Sequence, residues 1–160
     1  IVFGDWSSDV CSSDLIHNPQ PVRHSPQVGG GSPIILDGAH NPAAAVVLAA
    51  AWRQRFGSRR CSLVFSAVAG KDPRGILDHL APLAERIHFC PISSPRTLGT
   101  AELTAALPAD PPPHRVFPIA AAALAAALDH PQPVLVAGSL FLVGEVRALL
   151  HGQPHLPTAQ

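Results

Sequence analysis

The chain has 160 residues, 47% of them hydrophobic, and its eleven basic and eleven acidic side chains give a formal net charge of zero. A chain of this length buries roughly two thirds of its unfolded surface, so one domain can stand without disulfide or metal staples. The balanced charge suggests neither the basic footprint of a nucleic-acid binder nor the polybasic patch of a membrane-surface protein, and the longest apolar run, Ile119 to Leu128, is far short of the roughly 20 residues that span a bilayer.

A soluble, cytoplasmic protein is therefore expected. Three cysteines stand at positions 11, 61 and 90 without metal-ligand spacing, and Cys61 and Cys90 lie in apolar runs that read as buried strands, the usage of a reducing cytosol.

Asp5 to Leu15 has neither a helical nor a strand period, and it looks like one translated frame of a sequencing-library adapter. Residues 1–15 are accordingly expected to be non-native, so Trp6 and Cys11 carry no message. Residues 16–32 read as a linker with at most one weak strand around Val22. The Gly29-Gly30-Gly31 run there precedes a strand, whereas a phosphate cradle follows one and opens a helix; it is a turn.

From Pro33 the chain alternates short β-rich runs with helical ones. The predicted pairs are Ile34 to Leu36 with Ala43 to Phe56, Leu63 to Val68 with a helix from Asp72-Pro73 to Ala84, and Arg86 to Cys90 with Thr100 to Leu107. Arg115 to Phe117 with Ile119 to Leu128, and Val134 to Ala137 with Ser139 to Leu150, complete the set. Five successive βα units predict an α/β domain over residues 33–150: a doubly wound, mostly parallel sheet of five to six strands joined by right-handed crossovers. Residues 151–160 are expected to be a disordered tail. The alanine runs at 43–51 and 120–127 read as packing, because alanine favours the helix and lets it lie close to a sheet.

Ligands of open α/β sheets sit at the carboxyl ends of strands. Three predicted strand ends carry polar groups: Asp37 and His40 after the first, Lys71 and Asp72 after the second, Ser139 after the fifth. Asn41 suits a helix cap and Pro42 a first turn, which leaves Asp37 and His40 unused by helix initiation. Each also has a plain structural reading, with Asp37 satisfying turn amides, His40 solvated in a loop, and Asp72 and Ser139 capping helices. Gly70-Lys71 is not a Walker A loop: the earlier glycine is missing and Asp72 stands where a Ser or Thr would hold magnesium. No Gly-x-Gly-x-x-Gly follows a strand, no Gly-x-Ser-x-Gly elbow appears, and no histidine pair has zinc-ligand context.

Four stretches together carry a resemblance: Leu36-Asp37-Gly38-Ala39-His40-Asn41-Pro42; Val64-Phe65-Ser66-Ala67-Val68 leading to Lys71-Asp72; Pro91-Ile92-Ser93-Ser94-Pro95-Arg96; and Val136 to Val146, which contains Gly138-Ser139-Leu140-Phe141-Leu142-Val143-Gly144-Glu145. In order and spacing they resemble the carboxyl-terminal domain of bacterial folylpolyglutamate synthase/dihydrofolate synthase, a Rossmann-like member of the Mur ligase family. The glycine-serine stretch looks specific to the folate branch rather than to peptidoglycan-precursor ligases. The resemblance implies an ATP-dependent amide ligase in which ATP phosphorylates a folate carboxylate and the amine of glutamate attacks the acyl phosphate. It implies ATP and Mg2+ as cofactors, the metal and phosphate loop belonging mainly to an amino-terminal domain. It further implies glutamate and dihydropteroate or tetrahydrofolate as substrates, and a monomeric parent.

By match to the motif, Asp37 would accept from the ATP ribose hydroxyls with Asn41 beside it. His40 and Lys71 would be the catalytic candidates, with His40 and Ser139 on the glutamate side. No metal ligand is implied in this chain. Two departures stand out: the family's Gly-Arg ahead of this domain is not found, Arg23 being the nearest basic residue, and the amino-terminal domain is absent. The chain alone is expected not to ligate. The competing expectation is a stand-alone α/β binding module with this fold and no catalysis.

Overall fold

The computed structural model describes residues 2–4 and 32–153. The sheet has six strands, all parallel: β1 (Val2–Gly4), β2 (Ile34–Asp37), β3 (Cys61–Phe65), β4 (Ala84–Phe89), β5 (His114–Val116) and β6 (Val134–Ala137), in the spatial order β1-β2-β6-β3-β4-β5. The helices are α1 (Pro42–Phe56), α2 (Pro73–Leu80), α3 (Thr100–Ala105), α4 (Ala120–Leu128) and α5 (Leu140–Leu150). The doubly wound parallel sheet expected from the alternating runs is present. Val2–Gly4, within the stretch expected to be non-native, pairs with β2 as the edge strand. The adapter-like stretch, the glycine run, Val22 and Arg23 lie outside the described residues.

Period-two alternation divides the sheet between two cores. Leu63, Phe65, Ile87, Phe89, Leu135 and Ala137 point to one face, where they meet Leu48 and Trp52 of α1, Ile76, Leu77 and Leu80 of α2, and Leu103 of α3. Leu36, Val64, Val134 and Val136 point to the other, under α4 and α5. Strands covered on both faces need continuous apolar runs, which β6 has throughout and β3 from Leu63 to Phe65. The alanines at 120, 123 and 127 are fully buried, so the alanine-rich helix sits close against the sheet.

Two predicted element ends differ by three residues or more. The second predicted strand, Leu63 to Val68, is displaced: β3 runs Cys61–Phe65, and beyond it the carbonyl of Ala67 accepts from the Leu98 amide at 3.0 Å, diverting the chain into a loop. The helix expected to reach Ala84 stops at Leu80 and tightens into a 3₁₀ turn over Ala81–Leu83, because Pro82 has no amide to continue the α pattern. Past α5, the Gln153 amide donates to Ala148 O at 2.9 Å, so residues 151–153 close the helix end.

Candidate active site

The strand ends at one edge set up a crevice. β2 and β3 are followed by α1 and α2 on one face, while β6, lying between them, is followed by α5 on the other. Chains that leave neighbouring strands toward opposite faces part from each other, and open sheets hold ligands at that switch point.

Asp37 is the last residue of β2 and is buried; its Oδ1 accepts from the Ala39 amide at 2.8 Å, which fixes the carboxylate over the turn. The next turn positions His40, whose Nδ1 is 2.9 Å from the Gly38 carbonyl. A carbonyl only accepts, so Nδ1 carries the hydrogen, and in the neutral ring Nε2 is the acceptor. Asn41 Oδ1 accepts from the Ala44 amide at 2.8 Å and caps α1, with Pro42 at the first helical position. That cap satisfies an amide that has no partner inside the helix.

Ser139 is placed one residue beyond a constrained glycine. Gly138 has φ +100°, and a Cβ there would collide with the carbonyl of Ser66 and the ring of Phe65, so only glycine fits. Its amide donates to Ala39 O at 2.9 Å. One residue therefore ties the ends of β2, β6 and β3 together. The Ser139 side chain is buried and its Oγ accepts from Phe141 N at 3.2 Å, capping α5. Asp72 caps α2 through Gly75 N at 2.9 Å, and Lys71 is exposed in the turn before it, where Gly70 has φ +82°. A Cβ on Gly75 would stand 2.7 Å from Cγ of Pro42, so the starts of α1 and α2 touch and Lys71-Asp72 is brought beside Asn41-Pro42.

The five predicted site residues thus share one edge, with Asp37, Asn41 and Ser139 also holding local backbone. Three features were missed from sequence. Ser66, just past β3, is fully buried and its Oγ has no partner. Arg96 donates through a guanidinium nitrogen to Ala69 O at 3.4 Å, bringing a second cation to the Lys71 loop. Glu145 accepts from both the amide and the hydroxyl of Ser93, at 3.1 and 3.3 Å, linking α5 to the loop after β4. Burial pushes the Cys90 thiol up to about 12, with Glu145 adding to the effect, and burial alone pushes Cys61 up to about 12; neither is a thiolate nucleophile. Among the described residues no group of three or more His, Cys, Asp or Glu side chains is placed to hold a metal ion.

The family model of the Mur ligase glutamate ligase domain matches residues 23–140. The chain belongs to that Mur ligase domain family. As a Mur ligase domain it is 34% identical over 122 residues to the folylpolyglutamate synthase of Lacticaseibacillus casei, covering 74% of this chain and 27% of that protein. It is 41% identical over 64 residues to the dihydrofolate synthase/folylpolyglutamate synthase of Bacillus subtilis, covering 40% of this chain and 15% of that one. The domain superposes on Mycobacterium tuberculosis folylpolyglutamate synthase, solved with ADP and AMPPCP, at a TM-score of 0.68 and 28% identity, covering 76% and 30% of the two chains. With E. coli FolC, solved with DHPP and ADP, the TM-score is 0.67 at 27% identity, covering 74% and 28%. The chain spans less than a third of the length of each of these relatives. No helix among the described residues is long and apolar enough to cross a membrane.

Proposed function

We propose that this chain is the carboxyl-terminal nucleotide- and glutamate-binding domain of a cytoplasmic, monomeric ATP-dependent folate:glutamate amide ligase. The observation that carries the reading is the crevice at the end of β6, where the Asp37 carboxylate, the His40 ring and the Lys71 turn flank a switch point. Similar proteins solved with ADP, AMPPCP, or AMPPNP and a Mn ion support a nucleotide at this family's active site.

In the proposed reaction the carboxylate of dihydropteroate or tetrahydrofolate attacks the γ-phosphorus of ATP, and the bond to the bridging oxygen breaks to release ADP. The glutamate amine then attacks the acyl carbon, phosphate leaves, and the new amide nitrogen loses its extra proton. Asp37 would accept from the ribose hydroxyls, with Asn41 holding the turn. His40, with its hydrogen on Nδ1, presents Nε2 as acceptor for the proton that glutamate's ammonium must lose before it can attack. Lys71 would place positive charge beside the transferring phosphoryl group, where preorganised charge is most effective. Ser139, buried in its cap, would act on the glutamate side through the backbone it positions. Mg2+ would accompany ATP and shield its phosphates, with ligands outside the described residues.

Asp37→Ala in the full-length ligase carrying this domain tests the nucleotide contact. Loss of a hydrogen-bonded charged group should weaken ATP binding by about 1.5 to 3 kcal/mol. Unchanged ATP Michaelis constant and turnover would refute the assignment. The 160-residue chain by itself should show no ATP- and glutamate-dependent folate conjugation, and measurable product from it would overturn the division of labour proposed here.

A further inference from the structure

The far end of the sheet holds a second concentration of polar groups, unrelated to the crevice. A cavity of about 290 Å³ opens between β4, β5 and the carboxyl end of α4, lined by Arg86, His88, His114, Arg115, Asp129 and His130, with Ile87, Pro113 and Ala126. It lies toward the amino-terminal ends of the strands, on the face opposite α2. Period-two geometry explains the gathering: Arg86 and His88 alternate with the core residues Ile87 and Phe89, and Arg115 is paired with His88 across the strands.

Two of the lining residues have buried polar atoms with no hydrogen-bond partner. His88 is 3% exposed, yet neither ring nitrogen has a hydrogen-bond partner, and Nε of Arg86 is likewise buried and unpaired. Ser62, opposite Arg86 in the ladder, also has a buried hydroxyl without a partner, as does Oε1 of Gln132, one residue before the Pro133 carbonyl that accepts from Ser62 N. Of the buried side-chain atoms left unpaired among the described residues, only Ser66 Oγ belongs to the other end of the sheet. The two ion pairs among the described residues, Arg60 with Glu85 and Arg74 with Asp78, involve neither Arg86 nor Arg115. Buried polar groups normally find partners, so a cluster of this kind calls for one from outside the chain.

The partner's charge follows from the lining. Two guanidinium groups and the imidazoles of His88 and His130 face a single carboxylate, that of Asp129. His88 is held neutral, its pKa lowered to about 4 by burial first and then by His130, Arg86 and Arg115, so the surrounding field is positive. Phe117 braces the wall: its ring lies 5.4 Å from that of His88, and the Arg115 guanidinium sits 5.5 Å above it.

We propose that this cavity is a binding site for a small anion carrying phosphate or carboxylate groups, held by Arg86 and Arg115 with His88 and His130 as further donors. The cavity is many times the roughly 10 to 15 Å³ that one water needs, so it admits a small polyanion. Binding draws a proton onto His88, because the anion replaces a positive surround by a negative one. The site is independent of the folate-ligase reading and would stand if that reading failed.

The test is titration of the chain with pyrophosphate and, separately, with citrate, followed by the imidazole NMR resonances. At least one should bind saturably at one site, move the His88 and His130 signals and raise the His88 titration midpoint, while His40 stays unmoved. Which of the two binds assigns the phosphate or the carboxylate source. Arg115→Gln, on an exposed edge-strand position that leaves the core intact, should weaken binding about tenfold or more, as for loss of one charged hydrogen bond; Arg86→Gln should do the same from inside the cavity. Non-saturable shifts with both anions, as for a cavity filled by water alone, or saturable binding that Arg115→Gln leaves unchanged, would overturn the proposal.

Discussion

Acid should destabilise this domain through His88. The ring is buried, hydrogen-bonded to nothing, and flanked by Arg86, Arg115 and His130, with Asp129 the one carboxylate along the same cavity. Its pKa falls from 6.5 to about 4, chiefly through burial. The folded pKa lies below the unfolded one, so between those two values the unfolded chain binds the proton that the folded chain refuses. Stability is therefore fully present above pH 6.5 and is lost as pH falls toward 4. At about 1.4 kcal/mol for each pH unit of the interval, the loss amounts to about 3 kcal/mol. That is a large part of the roughly 5 to 15 kcal/mol by which a domain is stable.

His88→Phe keeps a ring against Phe117 while removing both unpaired nitrogens. Urea unfolding of the chain and of this variant across pH 4 to 7, in a buffer free of phosphate and carboxylates, isolates the effect, since other titrating groups contribute to both. The difference in stability between variant and parent should grow by about 3 kcal/mol from pH 7 to pH 4. At pH 7 the variant should be as stable as the parent or more so, because an unpaired polar pair gives way to an apolar ring of similar shape. Parallel pH profiles for the two proteins would refute the reasoning.

Gly138→Ala should cost about 2 to 5 kcal/mol, combining a strained backbone with the overlap onto Ser66, and should weaken nucleotide binding in the full-length ligase with it; denaturant unfolding checks the first and ADP titration the second. Glu145→Ala should free the 91–96 loop, with faster hydrogen exchange at the Ser93 amide corresponding to about 1 kcal/mol of lost protection. Cys61 and Cys90 should stay unmodified when the native chain is treated with a thiol reagent at neutral pH and become reactive on unfolding, as peptide mass mapping would show.

The sheet was legible in the sequence because its signals are local. Asn41-Pro42 and Asp72-Pro73 mark helix starts by chemistry that needs no tertiary partner, and both caps form as those residues require. Strand β6 is apolar throughout because helices cover both its faces, and its predicted and observed bounds coincide. The end of β3 was misjudged because Ala67 and Val68 are apolar without being in the strand; it is Leu98, from another loop, that claims the Ala67 carbonyl. The candidate site was legible only as a set of strand-end residues. What joins them, the passage of Gly138 against Ser66 and of Gly75 against Pro42, depends on strand order, which no local pattern states.

His88 marks the limit of local reading most clearly. The run Arg86-Ile87-His88-Phe89 declares a strand by alternation, and alternation by itself assigns its polar positions to solvent. On a sheet with one bare face they would be exposed and unremarked. Here the return from β5 to β6 lays α4 across that face, so Arg86 becomes half-buried and His88 fully buried, with a desolvated ring. An edge strand then adds Arg115 beside it in register. Topology rather than composition thus turns a chain of zero net charge into one with a one-sided cationic pocket built around a buried imidazole, and the chemistry of that pocket follows from which helix covers which face.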